Sequence, residues 1–211
     1  MDVYKTPEEA FWAGQFGNEY IKRNCDEKLF TANLAFFSRI FRCTGELRSI
    51  VEFGANIGLN ISALQLLFPR CDFTAVEINY EAYRELSAIE NIKTFNQSLL
   101  DFSMDEPADL AFTKTVMIHI APEKLNLAYD VLYASSRKYV LIAEYYNPVP
   151  IAISYRGHED KLFKRDFAGE MLDRYPDLRL IDYGFVYQRD PLFPQDDITW
   201  FLLEKRPFSS I

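Results

Sequence analysis

The sequence predicts a single α/β domain with a largely parallel β-sheet. A short apolar run from Ser49 leads into a turn with two glycines, and apolar residues then recur at helical spacing until Pro69. A second apolar run, residues 71–76, follows, and the order strand, helix, strand predicts two neighbouring parallel strands. Residues 137–143 are almost continuously apolar, which is typical of a strand covered on both faces. The 211 residues, 49% of them hydrophobic, are enough for one full-sized domain and too few for two.

The N-terminal segment predicts a helical cover followed by a packing helix. Thr6-Pro7-Glu8-Glu9 is typical of a helix start, with a hydroxyl cap, a proline in the first turn and acids that suit the helix dipole. Gly14 and Gly17 interrupt the pattern that follows, so we expect a lid that bends over a cleft. The lid residues expected to contact a ligand are Trp12, Tyr20 and Arg23. The alternative is that Trp12, Phe16 and Tyr20 are the buried side of a helix.

Five further strands and four further helices are expected. Apolar residues at spacings of three and four predict a packing helix over residues 29–41, so residues 1–45 form the lid and packing helix and 46–211 the core. The later strands are predicted at residues 92–96, 108–113, 137–143, 178–187 and 198–204, with the last two forming a hairpin. Helices are predicted at 80–90, from about Pro122, and at 167–175. Residues 145–166 are polar with little periodicity, which predicts a functional loop.

The glycine turn after the first strand predicts a nucleoside cleft. Gly54 and Gly58 allow close approach of a ligand to the backbone at the start of a helix. Glu77 ends the second strand, where a carboxylate can accept hydrogen bonds from both ribose hydroxyls. A dinucleotide fingerprint would require glycine where the chain has Asn56 and Leu59, so NAD and FAD are disfavoured. The alternative is an ordinary turn whose glycines serve packing only.

Composition and charge exclude several classes of partner. The formal net charge of −8, from 31 acids and 23 bases, argues against DNA or structured RNA. Cys25, Cys43 and Cys71 are widely spaced, which indicates neither a disulfide framework nor a metal site and fits a reducing, cytoplasmic location. We expect no membrane partner, because no apolar run approaches the ~20 residues of a membrane span.

Glu52, Gly54, Asn56 and Gly58 form a pattern that resembles motif I of the class I S-adenosylmethionine-dependent methyltransferases, acidic-x-Gly-x-Gly-x-Gly, with asparagine at the middle glycine. The resemblance implies a Rossmann-like sheet of seven strands, mostly parallel with the last strand antiparallel, and helices on both faces. It implies S-adenosylmethionine as cofactor and S-adenosylhomocysteine as product. In that family the acid at Glu52 helps to position the methionine end, the acid at Glu77 holds the ribose, and a polar residue, often aspartate, stands near the adenine where this chain has Ser98. The cofactor contacts expected besides the lid are Glu52, Phe53, Gly54, Asn56, Gly58, Glu77, Ile78, Gln97, Ser98, Leu99 and Thr113.

Three longer stretches, residues 11–24, 113–120 and 144–160, resemble a narrower group, the methylases associated with the biosynthesis of pseudaminic acid and related nonulosonic acids. This resemblance implies methylation of an oxygen or nitrogen of a small acceptor, a sugar acid or a nucleotide sugar. The predicted loop gathers bases in an acidic chain, and the guanidinium of Arg156 suits a carboxylate or phosphate. The expected substrate contacts are Tyr145, Tyr146, Asn147, Tyr155, Arg156 and His158. The alternative is that Glu159, Asp160 and Asp166 simply neutralise these bases.

Methyl transfer requires alignment above all, but a hydroxyl or ammonium acceptor must also lose a proton. The candidate catalytic residues are His119, which follows the fourth strand, and His158 and Tyr146 in the predicted loop. His119 could instead be a core residue, and His158 a solvated one. Two other functions remain open: a non-catalytic module that binds S-adenosylmethionine, and a nucleotide-sugar-modifying enzyme of different chemistry.

Overall fold

The computed structural model describes residues 4–21 and 27–206. In these ranges there are seven α-helices, at α1 Pro7–Ala13, α2 Gln15–Ile21, α3 Glu27–Ile40, α4 Leu59–Leu67, α5 Tyr80–Leu86, α6 Leu125–Ala134 and α7 Phe167–Arg174. The same ranges contain nine strands, at β1 Ser49–Phe53, β2 Asp72–Glu77, β3 Ile92–Asn96, β4 Ala108–Lys114, β5 Ser136–Glu144, β6 Ile151–Tyr155, β7 His158–Lys164, β8 Leu178–Val186 and β9 Ile198–Lys205.

Seven of these strands form one sheet in the order β3-β2-β1-β4-β5-β9-β8. The first five are parallel, and β9 lies antiparallel between β5 and β8. This confirms the predicted mostly parallel sheet with an antiparallel last strand. The register pairs Phe53 with both Val76 and Thr113, so β1, β2 and β4 end at the same edge of the sheet. That edge is where ligands bind in open α/β sheets.

Alternate strand residues face two separate hydrophobic layers, as the period of two requires. One layer contains Val51, Phe53, Val76, Ala111, Val140 and Ile142 with residues of α6 and α7. The other contains Ile50, Ala75, Leu110, Phe112, Leu141 and Ala143 with residues of α3 and α4. Helices therefore cover both faces, as predicted. Glu52 lies between two buried neighbours of β1 and is itself only 1% exposed.

Side-chain caps determine where the helices of the site begin. The Thr6 hydroxyl accepts from the Glu9 amide at 3.2 Å and the Glu9 carboxylate accepts from the Thr6 amide at 2.9 Å, which is a capping box. Asn79 caps α5 by accepting from the Ala82 amide at 3.0 Å. The capping box was visible in the sequence as a helix start, but its orientation was not.

Two local predictions differ from the structure. Residues 145–166 are not an irregular loop, because β6 and β7 form an antiparallel hairpin within them. Leu162 of this hairpin is buried in the core, while most of its neighbours are exposed or half-buried, so the alternation was too weak to recognise. Gly17 does not interrupt a helix but lies inside α2, and the break between α1 and α2 is at Gly14. Predicted residues Arg23 and Cys25 lie outside the described residues.

In the described part of the chain, none of the helices has the length and hydropathy that crossing a bilayer requires.

Candidate functional site

A cavity lies at the carboxyl ends of β1, β2 and β4, beneath the N-terminal helices. Its floor comes from the strand ends and the turns that follow them, and its cover from α1, α2 and α3. The residues that line it are Thr6, Glu8, Glu9, Trp12, Gly17, Tyr20, Leu29, Asn33, Gly54, Ala55, Asn56, Ile57, Leu59, Asn60, Val76, Glu77, Ile78, Asn79, Gln97, Ser98, Leu99, Leu100, Lys114, Thr115, Val116, His119, Ile120 and Ala121.

The turn between β1 and α4 has left-handed backbone at Gly54, Asn56 and Gly58, with φ of 70°, 48° and 83°. Asparagine tolerates this conformation better than most residues with a side chain, which explains how Asn56 can stand where the resembling motif has glycine. A Cβ at Gly58 would lie 2.3 Å from Ile89 Cδ1 and 2.8 Å from Leu86 Cδ1, neither of which lines the cavity. A Cβ at Gly54 would lie 2.4 Å from Cγ2 of the cavity residue Val116. The glycine at 58 thus permits close packing against Leu86 and Ile89, and the glycine at 54 permits close packing against Val116 at the cavity wall.

Glu77 is a buried carboxyl group held by two backbone amides. Its Oε2 accepts from the Asn56 amide and its Oε1 from the Asn79 amide, both at 2.7 Å. Burial raises the pKa of Glu77, and these amides oppose that rise. A carboxylate oxygen has two acceptor positions, so each oxygen retains one after its amide bond. The arrangement leaves Glu77 able to accept from two neighbouring hydroxyl groups in the cavity.

A second buried polar cluster joins β1, β4, α3 and α4. Asn60 donates its Nδ2 to Glu52 Oε1 at 2.6 Å, and Lys114 donates its Nζ to Asn33 Oδ1 at 3.0 Å. Burial raises the pKa of Glu52 to about 8 and lowers that of Lys114 to about 8, although each charge favours the other. Among the residues that the structure describes, Glu52 Oε2 and Asn60 Oδ1 have no hydrogen-bond partner. Because unpaired buried polar atoms are costly, this cluster suits a ligand that carries donors.

His119 is buried beside the cavity with a defined tautomer. Its Nδ1 lies 2.7 Å from the Lys161 carbonyl oxygen, and because a carbonyl only accepts, Nδ1 carries the hydrogen. Nε2 is then the nitrogen with the lone pair. Burial lowers the pKa of His119 to about 4, so the imidazole is neutral near pH 7. The ring lies 4.4 Å from that of Trp12 and 5.1 Å from that of Tyr155, between centroids.

The short 3₁₀ helix that carries His119 is held by Glu144 at the end of β5. The Glu144 carboxylate accepts from the amides of Val116 and Met117 at 3.1 Å and of Ile118 at 3.4 Å. Burial raises the pKa of Glu144 to about 7, opposed by these amides. Glu144 does not line the cavity and therefore acts on the site through the position of His119.

Polar contacts of Asn79 and Lys161 tie the N-terminal cover to the rest of the site. Asn79 Nδ2 donates to the Trp12 carbonyl at 3.1 Å and to Asn18 Oδ1 at 2.8 Å. Lys161 on β7 forms an ion pair with Glu8 at 2.8 Å, with both side chains largely buried. Gly17 is buried against this junction, and a Cβ there would lie 1.9 Å from the Trp12 carbonyl oxygen. The cover is therefore part of the packed site.

Ser98, Gln97 and Leu99 lie together at the end of β3. The Ser98 hydroxyl accepts from the Leu100 amide at 3.0 Å and so begins a 3₁₀ helix. All three residues line the cavity.

None of the six predicted substrate residues lines the cavity. The Tyr145 hydroxyl donates to Asp196 at 2.9 Å, Asn147 Nδ2 donates to the Val149 carbonyl at 2.6 Å, and exposed Tyr146 lies against the ring of Phe201. Tyr155 lies behind His119 and Trp12 in a second layer of aromatic rings.

Arg156 and His158 also lie outside the lining, at the exposed turn of the hairpin. The Arg156 guanidinium lies 5.8 Å from the Tyr155 ring centroid, and the His158 ring packs against Phe11 at 4.9 Å.

Known structures share this architecture at very low sequence identity. No protein-family model matches the chain, and no curated protein matches it. The 1,6-didemethyltoxoflavin-N1-methyltransferase of Burkholderia thailandensis, solved with its substrate and S-adenosylhomocysteine, superposes with a TM-score of 0.71 at 11% identity over 98% of this chain and 94% of that one. The magnesium protoporphyrin IX methyltransferase of Synechocystis, with bound S-adenosylhomocysteine, has a TM-score of 0.67 at 12% identity over 96% and 100%.

A sugar N-methyltransferase of Streptoalloteichus has a TM-score of 0.64 at 13% identity over 98% and 97% of the two chains. The chain has the class I methyltransferase fold. In this fold, the structure brings ten of the predicted site residues to one cavity: Trp12, Tyr20, Gly54, Asn56, Glu77, Ile78, Gln97, Ser98, Leu99 and His119. Glu52, Phe53, Gly58 and Thr113 are buried behind that lining.

Several polar residues of this methyltransferase fold were not identified from the sequence. Glu8 and Glu9 were interpreted only as partners of a helix dipole, although the α1 face that carries Trp12 also carries both of them. Asn79 precedes a predicted helix, so its capping role was accessible, but its contact with the cover was not. Asn33, Asn60, Lys114 and Glu144 were not singled out, because no spacing to a partner residue in the sequence marks them as parts of one cluster.

Proposed function

We propose that the protein is an enzyme that transfers a methyl group from S-adenosylmethionine to an oxygen or nitrogen of a small molecule. Glu77 carries the proposal. A buried carboxylate at the end of β2, oriented by two amides and with one acceptor position left on each oxygen, suits the paired hydroxyls of a ribose. The fold supports the same conclusion, since similar structures hold S-adenosylhomocysteine.

The remaining residues fit the other parts of this cofactor. Asn60 lines the cavity with Glu52 behind it, and their unpaired oxygens suit an ammonium group. Lys114 with Asn33 suits a carboxylate. Ammonium and carboxylate are the two charged groups of a methionine. Glu52 and Lys114 also come from the segments adjoining the glycine turn, over which we expect the methionine portion. When bound, the cofactor would supply hydrogen-bond donors to the unpaired oxygens of this cluster and an electrophilic methyl group on sulfur.

His119 is the residue we propose to receive the acceptor's proton. Its Nδ1 hydrogen is committed to the Lys161 carbonyl, so the Nε2 lone pair is available to an O–H or N–H group in the cavity. A base with a pKa of about 4 is weak, so its first role is to orient the acceptor and its second to take the proton as the new bond forms. Trp12 and the cover exclude water around it.

The acceptor that we propose is a sugar acid of the nonulosonic or pseudaminic type or a nucleotide sugar. One of the similar structures is a sugar N-methyltransferase, which favours a sugar. The anionic character predicted from the hairpin rests mainly on Arg156, because Lys161 pairs with Glu8 and Arg165 with Glu170. Anionic recognition by Arg156 stays a prediction, as does a cytoplasmic location.

Calorimetric titration tests the proposal directly. We expect S-adenosylhomocysteine to bind the purified protein with one site, and NAD to bind at least ~100-fold more weakly because the turn lacks the dinucleotide glycines. Binding of NAD or of a nucleotide sugar without binding of S-adenosylhomocysteine would contradict the proposal and favour a different chemistry.

Turnover separates an enzyme from a non-catalytic binding module. A panel of amino and hydroxy sugars, neutral and anionic, is incubated with S-adenosylmethionine, and S-adenosylhomocysteine release is measured. We expect release with at least one acceptor and its loss in His119→Asn, which retains a donor for the Lys161 carbonyl but lacks Nε2. Tight cofactor binding with no release for any acceptor would favour the module.

A further inference from the structure

Glu9 is a buried residue of the cover, and only one of its two carboxyl oxygens accepts hydrogen bonds from the described residues. Its Oε2 accepts from the amides of Lys5 at 2.6 Å and Thr6 at 2.9 Å, which fixes the plane of the carboxyl group. Its Oε1 is inaccessible to solvent and has no hydrogen-bond partner within residues 4–21 and 27–206. The residue is 5% exposed and lines the cavity. Since a buried carboxyl oxygen without a donor is costly, Oε1 points to a donor on a ligand.

The contacts of Lys5 define which end of the cavity Glu9 faces. Lys5 Nζ donates to the Leu100 carbonyl at 2.9 Å and forms an ion pair with Asp101. These contacts hold the start of α1 against the 3₁₀ helix that follows Ser98. Thr6 and Leu100 line the cavity on either side of this junction. Glu9, whose carboxyl group is bonded to the Lys5 and Thr6 amides, therefore lies at the β3 end of the cavity.

The order of the strands indicates which part of the cofactor reaches that end. Glu77 is on β2, the glycine turn follows β1, and β3 lies on the opposite side of β2. If the ribose is on Glu77 and the methionine portion over the turn, the base must extend toward β3. There the Ser98 hydroxyl oxygen already accepts from the Leu100 amide. In the described part of the chain, Glu9 Oε1 is a buried acceptor at this end that lacks a donor.

We propose that Glu9 Oε1 accepts a hydrogen bond from the exocyclic 6-amino group of adenine and makes the site selective for adenosine over 6-oxo purine nucleosides. The inference rests on the proposed function, because it assumes that the cavity holds S-adenosylmethionine. It assigns to the N-terminal cover a part in reading the base, in addition to closing the cavity.

A specificity swap tests the role of Glu9. In Glu9→Gln the amide oxygen can replace Oε2 toward the Lys5 and Thr6 amides, because glutamine also serves in a capping box, and its NH₂ then replaces Oε1. The 6-amino group of S-adenosylhomocysteine would then face the glutamine NH₂, which is also a donor. The 6-oxo group of S-inosylhomocysteine would accept a hydrogen bond from that NH₂. Calorimetry gives the affinities of both ligands for both proteins.

We expect the wild-type protein to prefer S-adenosylhomocysteine, and Glu9→Gln to reduce that preference by about tenfold to hundredfold. The ratio of the two ligand affinities is taken for each protein, and the two ratios are then compared. Adenine and hypoxanthine also differ at N1, but that difference is the same for both proteins, so the comparison isolates the contact at position 6. Glu8→Gln is the matched control. Glu8 is next to Glu9 in the sequence, and this change removes its ion pair with Lys161. It should lower the affinities for S-adenosylhomocysteine and S-inosylhomocysteine by the same factor.

The outcomes separate the two proposals. No binding of S-adenosylhomocysteine to the wild-type protein contradicts the proposed function itself. If Glu9→Gln binds with the same preference for S-adenosylhomocysteine over S-inosylhomocysteine as the wild-type protein, only the role of Glu9 is contradicted. The same holds if Glu9→Gln changes only the KM of the acceptor. Should Glu9→Gln not fold, equal affinity of the wild-type protein for the two ligands overturns the inference.

Discussion

At the scale of single residues, Glu77 joins the floor of the cavity to two loops. Its carboxyl group accepts amide hydrogens from the turn after β1 and from the residue that caps α5, so it organises both before any ligand binds. Such preorganisation reduces what must be ordered on binding. The same bonds mean that changes at Glu77 affect stability as well as affinity.

Glu77→Gln should weaken binding of S-adenosylhomocysteine by about tenfold to hundredfold, because one acceptor for a ribose hydroxyl becomes a donor. It should also destabilise the protein by roughly 1–3 kcal/mol, since its NH₂ group must face the Asn56 or the Asn79 amide. Calorimetry and urea unfolding measure the two effects. The exposed Glu90→Gln is the control and should change neither quantity. Unchanged affinity in folded Glu77→Gln would show that the ribose lies elsewhere.

His119 should make stability depend on pH below neutrality. Its pKa is about 4 in the folded protein, against 6.5 when unfolded, because burial disfavours the charged ring. The unfolded chain therefore binds a proton first as the pH falls, so the stability contributed by neutral His119 is present above pH 6.5 and is lost between 6.5 and about 4. The His119→Asn variant has no imidazole at this position, so its stability lacks this pH-dependent contribution.

We expect the free energy of unfolding to fall by about 2 kcal/mol more in the wild-type protein than in His119→Asn between about pH 7 and about pH 5. Urea unfolding at the two pH values measures the difference. Comparing the two proteins cancels the carboxyl groups that also titrate in this range. Equal pH dependence would mean that the His119 ring is solvated.

At the scale of elements, the cover of α1 and α2 depends on close approach of backbones at Gly17. The nearest atom to a Cβ at this position is the Trp12 carbonyl oxygen, and the next is Asn79 Nδ2 at 2.6 Å. Both belong to the junction that ties the cover to β2 and α5. Gly17 is therefore a packing residue inside α2, and the turn between the two helices is at Gly14.

Gly17→Ala should displace the cover although alanine favours a helix by about 1 kcal/mol over glycine. We expect about tenfold weaker binding of S-adenosylhomocysteine and faster hydrogen exchange in residues 7–21, with the sheet unchanged. Gly45→Ala is the control, because a Cβ at Gly45 meets no atom of the described residues within 4 Å. If affinity and exchange were as in the wild-type protein, the cover would have no part in binding.

At the scale of the whole molecule, the cavity joins parts of the chain that are far apart in sequence. Its lining draws on α1, α2, α3, the ends of β1, β2 and β4, and the segments after β3 and β4. A ligand that contacts all of these binds the folded chain and not the unfolded one, so it must raise the thermal stability of the entire domain.

S-adenosylhomocysteine at about 100 times its Kd should add about 2.7 kcal/mol of stability. For a chain of this length, that corresponds to a rise in Tm of roughly 5–10 °C. Differential scanning calorimetry measures the shift, with NAD at the same concentration as the control. A shift with NAD alone, or with neither ligand, would be inconsistent with the proposed cofactor.

Much of the fold and part of the site could be predicted because their signals are local. The period of apolar residues predicted the seven strands of the main sheet, and the resemblance of the glycine turn predicted the antiparallel β9. Glu77 and the turn at Gly54 were predicted together since a strand end and the following turn are adjacent in any parallel sheet. The hairpin of β6 and β7 was missed because only one of its faces is partly covered and its alternation is weak.

The sequence by itself determined the class of fold, the edge of the sheet where the cavity lies, and the carboxyl group expected to hold a ribose. Tertiary structure alone decided which polar atoms meet in the cavity. The Thr6–Glu9 capping box is local and its helix start is legible in the sequence, but the position of Glu9 at the cavity depends on distant contacts, among them Lys5 on Leu100, 95 residues away. Arg156 illustrates the converse, since a charge expected in the site lies at an exposed turn. Docking of distant segments depends on packing of the whole chain, and local patterns do not encode it.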